Sequence, residues 1–126
     1  MTIRTPFSLS GKIAVITGFG TPKDAMSNGG AIAQLFAKQG AVIEGLDISA
    51  EDAQNTVEAI INAGGQAFFT SGDATVEADI DNWIKSVLQR HGRIDILINN
   101  VGQSERLTPE DADTNIWRAQ LALNLD

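Results

Sequence analysis

The sequence predicts an α/β fold: a doubly wound parallel sheet, present in part as four strands in the order 3-2-1-4. Three observations carry this. Short β-branched runs alternate with stretches of helical periodicity along the 126 residues. The runs lack the polar alternation of half-exposed strands, as expected where both faces are buried. Glycines punctuate the junctions, and a β-α-β-α pattern implies parallel strands joined by right-handed crossovers.

Residues 12–17 (Lys-Ile-Ala-Val-Ile-Thr) read as the first strand. Helical spacing starts at Gly30, puts Ile32, Leu35 and Phe36 on one face, and stops at Gly40. Residues 41–47 form the second strand. Ser49 is placed to cap the next helix, where Glu51 and Asp52 suit the positive end of its dipole. Ala53, Val57, Ile60 and Ile61 give that helix its core face, and Gly64-Gly65 ends it. Residues 66–70 are the third strand. Thr75 is placed as a cap, and Ile80, Trp83, Ile84, Val87 and Leu88 form the stripe of a third helix closed by His91-Gly92. Residues 93–99 are the fourth strand, which this order leaves at a sheet edge. Thr108, Pro109 and Asp111 then suit the start of a last helix.

Composition narrows the function. The formal net charge is −7, so a phosphate backbone would be repelled and nucleic acid is not an expected partner. There is no cysteine, hence no disulfide or thiolate metal site, and a reducing compartment fits. Residues 1–10 hold no apolar stretch of signal-peptide length, and no run approaches the roughly 20 residues of a membrane span. A cytoplasmic location without membrane contact is expected. His91, alone and at a helix end, reads as a surface cation near the dipole and not as a metal ligand.

The chemistry collects where strands end. Thr17-Gly18-Phe19-Gly20 leaves the first strand and reaches a helix near Gly29-Gly30. Glycines there allow a pyrophosphate close to the backbone, and a helix N-terminus offers it unpaired N–H groups. A tight turn alone also accounts for Gly18 and Gly20. Asp47 ends the second strand, 29 residues after Gly18. A carboxylate there accepts from both hydroxyls of an adenosine ribose and repels a 2′-phosphate, which favours NAD over NADP. After the third strand comes Gly72-Asp73-Ala74, where Asp73 is placed for the adenine amino group and the backbone at Ala74 for the ring edge. A helix-capping Asp73 fits equally well. Asn99-Asn100-Val101-Gly102 ends the fourth strand. One amide can tie strands together while Asn100 faces a ligand, and Gly102 lets the backbone pass close to it.

Together these segments resemble the short-chain dehydrogenase/reductase family, from about Leu9 to Asp126. The resemblance rests on the strand–glycine loop–helix start, Asp47, Gly72-Asp73, the Gly92-Arg93-Ile94-Asp95-Ile96-Leu97-Ile98 run and Asn-Asn-x-Gly, with Val101 where the family has Ala. Trp117 and Asn124 match a Trp-x₆-Asn-Leu pattern. The resemblance implies a Rossmann-type domain over residues 1–126, incomplete at its C-terminal side. It implies cofactor contacts from Gly18, Gly20, Gly29, Asp47, Asp73, Ala74, Asn100 and Gly102, and a catalytic, water-holding role for Asn124. It further implies an NAD-linked oxidoreductase acting on a small-molecule alcohol or carbonyl, and a homo-oligomer.

Two features depart from the family pattern. Ala31 lies 14 residues after Thr17, five more than usual. Gly29 then stands in for the third glycine and residues 21–28 bulge over the phosphates, somewhat as in the divergent enoyl-acyl-carrier-protein reductases. The family's Ser, Tyr and Lys fall beyond Asn124, and these 126 residues contain no tyrosine. The expectation is a cofactor-binding half that is inactive alone; a non-catalytic NAD-binding sensor or regulatory module is the alternative.

Overall fold

A computed structural model describes residues 8–100. The expected last helix, with Thr108, Pro109 and Asp111, lies outside the described residues. Four parallel strands, β1 (Ile13–Thr17), β2 (Val42–Asp47), β3 (Gln66–Ser71) and β4 (Ile96–Asn99), form one sheet in the order β3-β2-β1-β4. This is the predicted α/β, Rossmann-type partial sheet. All five residues of β1 are buried, as its unbroken apolar run requires.

The helices α1 (Asn28–Lys38), α2 (Ala50–Asn62) and α3 (Glu77–His91) connect these strands. Alternate residues of β1 divide between two cores. Ala14 and Ile16 join Ile43, Ala67, α1 residue Ala33 and α2 residues Ala53, Val57 and Ile60. Ile13 and Val15 join Leu46 and α3 residues Trp83 and Val87. None of the helices of the described residues is long and apolar enough to cross a membrane.

Ser49 caps α2 as expected, its hydroxyl accepting from Asp52 N. Thr75 does not cap α3: the N-cap is Val76, without a side-chain bond, and Thr75 is drawn instead to the Asp73 carboxylate. Leu35, Ile61 and Leu88 are exposed, not on core faces. In α1 the line closest to the sheet is Gly29 and Ala33, and Leu35 is two residues, roughly 200°, round from Ala33. Ile61 and Leu88 each stand one position off the buried Ile60 and Val87.

The fourth strand begins at Ile96, not residue 93. Asp95 forms a bracket beside the sheet: its N–H donates to Ile13 O (2.9 Å), and its Oδ2 accepts from Ile13 N (2.8 Å) and from Arg93 Nε (3.0 Å). The Ile13 amide, before all else, holds the Asp95 carboxyl below its ordinary value of 3.8. Between the folded and unfolded values the folded chain binds fewer protons, so this stability is present above pH 3.8 and is lost as pH falls through the folded value. Asp95→Asn is therefore expected to flatten the fall of the thermal midpoint below that pH, measured by circular dichroism; an unchanged slope would assign the loss elsewhere.

The His91 expectation is corrected. Its side chain is 12% exposed, and Nε2 lies 2.6 Å from Oε2 of Glu44, a fully buried carboxylate in β2. Arg90 pairs with the same oxygen. Phe68, the register neighbour of Glu44 on β3, sits under the Arg90 guanidinium (4.5 Å to the ring centroid) and edge-on to His91 (5.7 Å between centroids). A charged residue within a buried strand has drawn two partners from the last turn of α3.

Candidate functional site

The carboxyl ends of β1, β2 and β4 meet at the β1–α1 loop. Gly18 turns the chain with φ +62°, a backbone that glycine adopts without strain, and its N–H donates to Leu46 O (2.8 Å). Phe19 points into the core, its ring occupying the space that a Cβ on Gly45 would take. Gly20 donates its N–H to Asp47 Oδ2 (2.9 Å), and its carbonyl accepts from the Ser27 hydroxyl (2.7 Å). Ser27 also caps α1 by accepting from Gly30 N (3.0 Å), so the helix starts at Asn28. The residues between Thr21 and Ser27 are exposed and are looped out above this closed neck.

Gly29 is required by contact. A Cβ there would overlap the Gly18 carbonyl oxygen and lie 2.6 Å from Asn100 Nδ2. The first turn of α1 can therefore rest on the loop only through a glycine, which is the role expected of the third glycine of a dinucleotide fingerprint. On the other side, Asn100 donates its backbone N–H to Thr17 Oγ1 (3.0 Å) and its Nδ2 to Gly18 O (3.1 Å), while Thr17 Oγ1 donates to Asn99 Oδ1 (3.1 Å). Both asparagines thus tie β4 to β1 and its loop.

Asp47 stands at the end of β2 with both oxygens directed: Oδ2 accepts from Gly20 and Oδ1 from Ser49 N (2.9 Å). A carboxylate has about four acceptor positions, so two remain for a ligand. At the end of β3, Gly72 N donates to Asp47 O (3.0 Å). Asp73 Oδ1 accepts from Thr75 N (2.8 Å) and Oγ1 (2.7 Å), and the hydroxyl bond leads in holding its carboxyl below the usual range. Ala74 packs against the α3-side core.

Gly18, Gly20, Asp47 and Asn100 are thus held by hydrogen bonds, with Gly29 in close contact against Gly18 and Asn100, and Asp73 and Ala74 at the neighbouring strand end. Gly102 and Asn124 lie outside the described residues. The frame fits a pyrophosphate: a cradle that a Cβ would fill, beside a helix N-terminus and the Asp47 carboxylate. Sequence reasoning missed Ser27, Thr21, Asn55 and Thr56. A serine immediately before Asn28-Gly29-Gly30 was a legible cap signal, and Thr56 was a lone hydroxyl within the apolar stripe of α2.

Comparison with known proteins shows the family. The family model for short chain dehydrogenases matches residues 12–126. The short-chain dehydrogenase/reductase homolog YusS of Bacillus subtilis is 35% identical over 103 residues, covering 81% of this chain and 90% of that protein. A crystal structure described as a short-chain dehydrogenase/reductase from Burkholderia xenovorans superposes with a TM-score of 0.87 at 37% identity, over 93% of this chain and 46% of that one. A metagenomic short-chain oxidoreductase solved in complex with NADP gives 0.79 at 30% identity, over 93% of this chain and 51% of its own. The chain therefore spans about half the length of those two solved proteins.

Proposed function

The chain belongs to the short-chain dehydrogenase family, and from that premise we propose that it binds NAD(H) in preference to NADP(H), for hydride exchange with a small-molecule alcohol or carbonyl. Family membership makes it part of an oxidoreductase fold but does not choose the cofactor, since one similar structure holds NADP. The supporting observation is Asp47, fixed at the end of β2 by the Gly20 and Ser49 amides. A ribose with two free hydroxyls can use its remaining lone pairs, whereas a 2′-phosphate would meet its negative charge. The Gly20 N–H, which could otherwise receive that phosphate, is already donated to the acid.

When bound, the nicotinamide supplies or accepts the hydride. The residues described here hold and orient the dinucleotide: Gly18 and Gly20 leave the loop open to the pyrophosphate, Gly29 lets the α1 N-terminus approach it, and Asp47 reads the ribose. Asp73 and Ala74 at the end of β3 are assigned to the adenine, and Gly102 to the close backbone passage beside the ligand. Asn124 is assigned to a water in proton transfer. These 126 residues include no tyrosine, the residue type that the family resemblance implies as proton donor. A homo-oligomer is also proposed, supported by Leu97, 64% exposed on β4 at the edge of the described sheet.

Titration calorimetry with both cofactors tests this. NAD(H) is expected to bind at least roughly tenfold more tightly, the equivalent of one modest charge repulsion, and Asp47→Ala to narrow the gap. Equal or tighter binding of NADP(H) would overturn the preference.

A further inference from the structure

Resting on the dinucleotide reading above, we infer that Thr56 and Asn55 of α2 are positioning residues for the cofactor: they hold the stretched β1–α1 loop in its binding shape from the neighbouring helix. A longer loop has more freedom to lose on closure and needs anchors to be preorganised. Here each polar group of Thr21 is bound by α2. Its N–H donates to Asp52 O (2.9 Å), its carbonyl accepts from Asn55 Nδ2 (2.9 Å), and its hydroxyl lies 2.8 Å from Thr56 Oγ1. The Thr56 hydroxyl is fully buried and has one proton, which it donates to Phe19 O (2.8 Å). Thr21 is therefore the donor in the hydroxyl pair.

These bonds fix residues 19–21, immediately before the neck where Ser27 bonds to Gly20 O. The extra residues of the loop are thereby kept out of the pyrophosphate cradle. The same helix is capped by Ser49, whose amide holds Asp47. One element thus sets both the acid that reads the ribose and the loop that receives the phosphates. Thr56 and Asn55 bond to the loop at Phe19 and Thr21, and act on the cofactor through those two residues.

Thr56→Val keeps the shape and removes the hydroxyl. It removes two buried hydrogen bonds, to Phe19 O and from Thr21, and is expected to raise the Kd for NAD by roughly threefold to tenfold, the part of that loss felt at the loop. In cofactor-free protein the amides of residues 20–27 should exchange faster with deuterium, and Thr56→Ser should restore both measurements. Asn55→Ala, at a half-buried position, should shift both in the same direction and decides the matter if Thr56→Val does not fold. A Kd unchanged within about twofold, beside a wild-type protein that binds, would overturn the positioning role and leave the dinucleotide reading intact, whatever happened to the melting temperature. A wild-type protein that binds neither NAD nor NADP would overturn both.

Discussion

Gly29→Ala is expected to abolish measurable dinucleotide binding and to lower stability by about 1–3 kcal/mol or more, the cost of overpacking a closed contact. The new methyl would overlap the Gly18 carbonyl oxygen and crowd Asn100 Nδ2 at 2.6 Å. Both neighbours are held in place. The first is backbone fixed by the Gly18 N–H bond to Leu46 O, and the second is a side-chain amide fixed by its own bond to Gly18 O. The helix must therefore back away, taking its N-terminus and the Ser27 cap from the place proposed for the phosphates. Gly64→Ala is the control. There φ is +92° and a Cβ meets nothing within 4 Å, so about 1–2 kcal/mol of backbone strain is added far from the loop. Chemical denaturation and NAD titration of the two variants separate the effects. A Gly29→Ala protein that binds like wild type would show that α1 does not need this contact.

That contact marks where sequence reasoning stopped. The strands were legible because buried parallel strands leave unbroken runs, such as residues 13–17, and the helix ends because Ser49, Gly40 and Gly92 stop chains by local geometry. The sequence offered Gly29 as the third glycine but not the contact that requires it, because Gly18 and Asn100 are 11 and 71 residues away in the chain. The β4 boundary failed for a similar reason. Asp95 pairs with Ile13 through its own side chain, so the apolar pattern continued where the ladder did not. Helix stripes were drawn too wide because periodicity shows a face but not how near the sheet lies. Small residues, Gly29 and Ala33, mark the close line of α1, and Leu35 stays outside. A glutamate inside the second strand was the sign of a buried charge needing partners, and His91 was read as a surface cation at a helix end.

The buried Glu44 leads to the other large effect. Removing both partners, by Arg90→Ala with His91→Ala, is expected to cost about 3–5 kcal/mol, because a carboxylate with no exposed surface is left without compensation. Arg90→Ala alone should cost much less, since that side chain is 41% exposed and water screens its share of the pair. The opposite substitution behaves differently. Glu44→Met fills nearly the same volume and removes the charge, and it also removes Oε1, which has no hydrogen-bond partner among the described residues. Arg90 can then turn to solvent, and His91 can keep its ring against Phe68. Glu44→Met is therefore expected to fall within about 1 kcal/mol of wild type, or to be more stable, as when other buried ion pairs are replaced by apolar residues. Adding it to the double variant should recover most of the loss. Urea unfolding of the four proteins measures this asymmetry. If Glu44→Met costs as much as the loss of both partners, the cluster stabilises the fold by attraction, and the desolvation argument is wrong for this sheet.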